Sequence, residues 1–297
     1  MAESRDATAV AHAVAPVGDV TADFGEGPVW DAATATILWV DIPRGHVHRT
    51  DPATGETATT VLPAPVSAAW PTASGGTLVA RGGELVRLGA DGGLTSIARL
   101  TEGPARINDL GVDAEGTVWA GTMPTAPTDE RVGALWRIGR GRVERVRGDL
   151  RLPNGIGFSP DGNRVYLVDT LDARIWTLDP ADPAGEAEVF ADLDPASVPD
   201  GLAVDADGRV WVACAGEGAL RSFTPDGRPA DRLPTPVPTV TSCAFGGPDL
   251  DVLYLTTAPP RAGAAGHDWS GRLLETRPGA AGTTPTPADE TDWSVRA

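Results

Sequence analysis

The stretch LPNGIGFSPDGNRVYLVDT, residues 152–170, decides the fold. Ile156 and Phe158 lie before, and Val165 and Leu167 after, the turn Ser159-Pro160-Asp161-Gly162-Asn163. Strong turn formers between two short alternating runs predict a β-hairpin. Asn154 is out of place in that pattern, a polar side chain at the head of the first run. The hairpin recurs as NDLGVDAEGTVWAGTM from residue 108 and DGLAVDADGRVWVACAG from 200. Weaker copies are EGPVWDAATATILWVDI from 26, VSAAWPTASGGTLVARG from 66 and TSCAFGGPDLDVLYLTTA from 241. A third apolar segment follows in most copies: HVHRTD, ELVRLG, ALWRIG, RIWTLD, ALRSFT and RLLETR.

The copies begin 40, 42, 46, 46 and 41 residues apart. Repeats of that length, each a small antiparallel sheet, are the signature of a β-propeller. Three visible strands and one in each connecting segment predict an all-β, six-bladed β-propeller with four-stranded antiparallel blades. The alternative is a β-sandwich whose hairpins merely look alike. The 297 residues are expected to form one domain, with 9–279 as the ring and AAGTTPTPADETDWSVRA, 280–297, as a loose tail. Unpaired edges are a liability, so the chain ends should share a blade. The apolar run Ala9-Val10-Ala11-His12-Ala13-Val14 is the candidate closing strand.

Composition agrees and narrows the partners. With 36 Gly and 27 Pro, turns should be many and long helices few. The formal charge of −17 is spread along the chain and repels nucleic acid and anionic membranes. All 24 basic residues are Arg, read as a compositional bias of the source. No apolar run approaches a membrane span. The opening MAESRDATAVAHAVAPVGD lacks a secretory pattern, so a cytoplasmic protein is expected, with Cys214 and Cys243 as buried free thiols.

In a propeller, the first strand of each blade lines the central channel. The first residues of the six copies are Glu26, Val66, Asn108, Asn154, Asp200 and Thr241. Four of them are carboxylates or amides, converging at one mouth of the ring. Such a cluster calls for a cation between its members, and oxygen donors favour a hard ion such as Ca²⁺, Mg²⁺ or Mn²⁺. The competing reading is a hydrogen-bonded plug with ordered water. Arg106 could reach over the same mouth, and Asp109 either orients a neighbour or faces the turn. Trp30, Trp119 and Trp211 read as packing aromatics rather than a sugar platform. His46 and His48 read as a surface pair toward the blade exterior. The sequence has no G-x-S-x-G, H-E-x-x-H or P-loop.

The motifs GEGPVWD (25–31), RINDLGVDAEGTVWAGTM (106–123), LPNGIGFSPDG (152–162), PDGLAVDADGRVWVACAG (199–216) and TSCAFGG (241–247) together resemble the gluconolactonase/regucalcin family, also called the senescence marker protein family. That resemblance implies a six-bladed propeller holding one divalent metal ion through Glu26, Asn154 and Asp200, with substrate contacts from Arg106 and Asn108. Ca²⁺ leads among the ions, with Zn²⁺, Mn²⁺, Mg²⁺ or Fe²⁺ the alternatives. It implies a metal-dependent lactonase that opens a sugar (aldono-) lactone to the acid. Asp200 is the expected general base, with activation of water by the ion as the competing route. Sugar-active relatives often carry an acidic residue soon after A-G-T-M; here Met123 precedes Pro-Thr-Ala-Pro-Thr, and Asp129 and Glu130 come later. A hydrolase of a non-sugar lactone or phosphotriester, or a non-catalytic Ca²⁺-binding propeller, are the other functions the scaffold allows.

Overall fold

The computed structural model describes residues 13–260, 265–290 and 293. Six four-stranded antiparallel sheets are arranged as a six-bladed β-propeller. The innermost strands are Gly25–Asp31, Val66–Pro71, Ala105–Val112, Pro153–Phe158, Pro199–Val204 and Val240–Gly246. In blade 1 the order outward is Gly25–Asp31, Thr36–Asp41, His46–Thr50 and Thr57–Val61. Blade 6 mixes the two chain ends: its outermost strand is Ala15–Thr21, paired antiparallel with Arg272–Thr276. The chain ends therefore do share a blade. The closing strand starts at Ala15 rather than Ala9, and residues 9–12 lie outside the described part of the chain.

The repeated turn has a physical reason that the aligned sequences already contain. In VDAEGTVW and VDADGRVW, the turn aspartates Asp113 and Asp205 each accept a hydrogen bond from the indole Nε1 of Trp119 and Trp211, both at 2.9 Å. The same carboxylates accept backbone N–H groups of their own turns, from Glu115 and Thr117 and from Asp207 and Arg209. Gly116 and Gly208 close these turns at φ of 78° and 79°, where a Cβ would be strained. Trp119 and Trp211 are buried, so the tryptophans hold each hairpin to its turn and fill the space between blades.

Two further features correct the sequence reading. Residues 280–290, expected to be loose, strap the end of the channel opposite Glu26. The strap is tied to blades 5 and 6 by Ala206 N–H to Ala281 O and by Gly282 N–H to Leu250 O. At its other end the Trp70 indole donates to Thr286 O, Ala288 pairs with Pro71, and Glu290 binds Arg87 at 2.9 Å. Trp293 is buried in the core of blades 2 and 3. His48, expected at the surface, is 2% exposed.

Cys214 and Cys243 are free and buried. Burial pushes the Cys214 thiol up to about 12 and the Cys243 thiol higher still. Neither is a thiolate at neutral pH, and only thiolates react. Alkylation of the native protein should modify neither cysteine, with both labelled after unfolding, as mass spectrometry would show. Labelling of either thiol in the native state would contradict this packing.

Candidate active site in the channel

Each first strand breaks register near its channel end. The pairing with the second strand shifts between Glu26 and Val29, Val66 and Ala68, Ile107 and Asp109, Pro153 and Ile156, Pro199 and Leu202, and Val240 and Ser242. A β-bulge leaves an extra residue outside the ladder and re-aims its side chain. Asn108 and Thr241 are the residues skipped by their ladders, and Asn154 and Asp200 lie within the corresponding gaps of blades 4 and 5. In blade 2 the skipped residue is Ser67, so the equivalent of Asn108 is Ser67 and not Val66. The pairs Val66-Ser67, Ile107-Asn108, Pro153-Asn154 and Val240-Thr241 would have given that alignment from sequence.

The bulged residues do two different jobs. Ser67 Oγ donates to Ile107 O at 2.8 Å, Asn108 Nδ2 to Pro153 O at 3.1 Å, and Thr241 Oγ1 to Gly25 O at 2.6 Å. Each bond links one blade to the strand of the next, so this part of the polar ring is a hydrogen-bonded belt. Asn154, Asp200 and Glu26 differ. Asn154 Nδ2 donates to the Asp200 carboxylate and, at 3.1 Å, to Thr170 Oγ1. With the amide hydrogens so placed, Oδ1 is the atom Asn154 can offer a cation. Thr170, the last residue of the stretch 152–170, follows the second strand of blade 4.

Glu26, Asn154 and Asp200 are all buried, between 7% and 8% exposed. Burial drives the Glu26 carboxyl well above the usual carboxylate range, and the charges of Asp200 and Asp109 add to the rise; the Gly27 N–H and Arg106 oppose it. Asp109 is pushed up to about 6 by burial, against the pull of its Leu110 N–H bond. Its side chain lines a cavity of about 320 Å³ inside the channel. Below it that cavity turns apolar, with Leu110, Ile156, Leu202 and Phe245 under the strap. Burial lowers the Arg106 pKa, while Glu26 and Asp200 draw it back up. Its guanidinium donates to Ile107 O at 3.0 Å. The channel thus gathers Glu26, Arg106, Asn108, Asp109, Asn154 and Asp200 from blades 1, 3, 4 and 5.

The later acidic residues of the blade 3 loop do not join them. Asp129 is fully exposed and, among the described residues, reaches only Arg151, at 4.0 Å. Met123, by contrast, pairs directly opposite Arg106, so residues 125–132 extend from the mouth of the channel.

Two buried carboxylates, an amide oxygen and no thiolate or imidazole form a donor set suited to a hard divalent cation. The raised Glu26 carboxyl is the sign of fit, because a positive charge beside Asp200 would relieve the repulsion that burial intensifies.

Fold and site together define a six-bladed propeller with an acidic, oxygen-rich channel mouth. The family description "SMP-30/Gluconolactonase/LRE-like region" matches residues 24–259, and the chain belongs to that family. It is 35% identical over 258 residues to the pentonolactonase XacC of Haloferax volcanii, covering 82% of this chain and 85% of the relative. It is 34% identical over 267 residues to a 6-deoxy-6-sulfogluconolactonase of Pseudomonas putida, covering 86% and 91%. The crystal structure of a calcium-binding regucalcin from Agrobacterium tumefaciens superposes with a TM-score of 0.85 at 30% identity, covering 93% of this chain and 97% of that one.

Proposed function

We propose that this chain hydrolyses a sugar lactone to the open acid, with one divalent cation held by Glu26, Asn154 and Asp200. The observation that carries the reading is the convergence of Glu26 and Asp200, both buried, with Asn154 bonded to Asp200 and the Glu26 carboxyl driven up. The lactonase names of the relatives support the substrate class. Ca²⁺ is the ion we favour, on the oxygen donor set and the calcium-binding relative.

The bound ion would supply Lewis acidity, polarising the lactone carbonyl and favouring the oxyanion formed on attack. Asp200 would take the proton of the attacking water. The Asn154 amide donates to Asp200, and Thr170 accepts from the same amide, so the base is held in one orientation. With the ion bound, Glu26 and Asp200 would together carry two negative charges, matching a divalent cation. Arg106 and Asn108 would orient the hydroxyl groups and ring oxygen of the substrate. Asn108 is already fixed by its bond to Pro153 O. The proton count closes on product: the attacking water would lose one proton to Asp200, which would pass it to the ring oxygen as the acyl C–O bond breaks.

The test is acid release at neutral pH from five- and six-membered aldonolactones and one aliphatic lactone, on metal-stripped protein given Ca²⁺, Mg²⁺, Mn²⁺, Zn²⁺ or Fe²⁺ in turn. Ion-restored turnover of the sugar lactones is the expected result. Turnover independent of any ion would refute the proposal. Arg106→Ala should raise KM roughly 10-fold with little change in kcat, since it removes a ground-state contact. A fall in kcat alone would assign Arg106 to the transition state instead.

A further inference from the structure

Blade 1 carries a cluster of potential ligands away from the channel. Its strands set Gly25, Asp41, His46 and Val61 in one row across the sheet, and Trp39, His48 and Thr59 in a row two residues along. Side chains alternate along a strand, so Asp41, His46 and His48 share one face. One ligand atom from each lies within 4.8 Å of the others. The row places the cluster at the channel-mouth end of the blade, roughly 10 Å outward from Gly25 by two strand spacings.

His48 is the decisive member. It is 2% exposed, its ring lies 4.3 Å from that of Trp39, and its Nδ1 is 2.9 Å from Thr59 Oγ1. Its Nε2 is buried and, among the described residues, has no hydrogen-bond partner. A ring nitrogen in that condition costs free energy unless something binds it. In the tautomer in which the Thr59 hydroxyl accepts from Nδ1–H, Nε2 carries a bare lone pair. Metal-binding histidines are commonly oriented by such a bond at the second nitrogen.

Asp41 is anchored but not exhausted. Its two oxygens accept the N–H groups of Asp23 at 2.9 Å and Phe24 at 3.2 Å, and each keeps a further lone pair. Asp169 plays the same anchoring part in blade 4, accepting from Arg151 and Leu152. There the facing third strand presents Arg174 and Trp176 where blade 1 has His46 and His48. Anchoring therefore explains the carboxylate and leaves the two histidines unexplained. Arg44 comes within 3.6 Å of Asp41, but its guanidinium is committed to both oxygens of Asp23 and to Thr21 O.

We propose that Asp41, His46 and His48 form a second metal site, distinct from the channel, that takes Zn²⁺ or a similar borderline ion. Two imidazoles and a carboxylate favour Zn²⁺, Ni²⁺, Co²⁺ or Cu²⁺ over Ca²⁺ or Mg²⁺, the reverse of the channel's preference. Bonds of about 2.0–2.1 Å to a tetrahedral ion would bring the ligand atoms to about 3.3 Å apart. A bound ion would draw the half-buried His46 in by that amount, and the 68% exposure of Val61 opposite it leaves the ion an entry. The bound ion would clamp the second and third strands of blade 1 beside the catalytic mouth.

The test is a Zn²⁺ titration of the tag-free full chain in excess Ca²⁺, read by the side-chain nitrogen resonances of its four histidines. The expected result is that His46 and His48 shift together at the first equivalent, with His12 and His267 unmoved. His46→Ala, at a half-exposed position that should not disturb folding, should weaken this binding by more than about 10-fold and leave the Ca²⁺ response intact. His48→Gln should do the same. Unchanged Zn²⁺ affinity in His46→Ala, or shifts confined to His12 or His267, would overturn the site.

Discussion

Replacing Asp200 by alanine should lower kcat by roughly 10³-fold or more, because one carboxylate would be lost both as proton acceptor and as cation ligand. The two roles can be separated. Asp200→Asn keeps an oxygen donor and the bond from Asn154, so it should retain weakened ion binding while losing most turnover. Measuring kcat beside ion affinity by calorimetry distinguishes the roles. If Asp200→Asn binds the ion as the wild type does and still turns over, Asp200 is not the base. If Asp200→Ala keeps near-normal kcat, both assignments fail. Geometry favours the dual role: Asp200 is buried, bonded to Asn154, and close enough to Glu26 and Arg106 to influence the protonation of both.

Glu26→Gln should move activity and stability in opposite directions. In the metal-free protein the Glu26 carboxyl is buried beside Asp200 and Asp109, and its charged form is disfavoured. A neutral amide of the same shape removes that repulsion. Metal-free Glu26→Gln should therefore unfold a few degrees above metal-free wild type. With the ion present the order should reverse, since the wild type gains binding free energy that the variant lacks. Turnover should fall with ion affinity. Thermal unfolding with and without chelator checks both halves. A variant less stable than wild type in chelator would mean that Glu26 is held by favourable contacts rather than strained by its neighbours. Strain of this kind in a metal-free site is what a site built for a cation should show, and a purely structural plug should not.

The two predictions concern the channel, whereas the blade 1 cluster complicates any metal panel. An activity profile across ions sums over every place an ion can bind. Zn²⁺ at Asp41, His46 and His48 would alter the rigidity of the blade that carries Glu26 without entering the reaction. Running the activity panel on His46→Ala as well as on wild type removes that contribution.

The fold was legible in the sequence because each blade is local. Strand, turn and strand lie within about 20 residues of one another, and turns such as Asp113-Ala-Glu-Gly116 carry their own bonding pattern, including the bond to Trp119. Repetition then fixed the number of blades. The positions of Glu26, Asn108, Asn154 and Asp200 followed from the same alignment, since equivalent residues of equivalent strands must face one axis. What alignment could not tell was which of them bond to backbone and which are left for a cation. That depends on the bulges, which turn Ser67, Asn108 and Thr241 onto a neighbouring blade's carbonyl while Asn154 meets the side chain of Asp200. A bulge is a one-residue shift in register between strands, and a linear pattern with a period of two cannot display it.

The C-terminal strap and the burial of His48 were hidden for a related reason. A segment rich in Thr, Pro and Ala has no periodicity of its own, and residues 280–290 are ordered only by partners in blades 2, 3, 5 and 6. His46 and His48 looked like an exposed pair because alternation gives the face of a strand but not what covers it. By itself the sequence determined the repeating unit, the count of blades and the residues that line the channel. Only the tertiary structure decided which polar groups are desolvated, which carry charge against a neighbour and which are already satisfied. Those are properties of the surrounding atoms, brought together here from blades far apart in the chain.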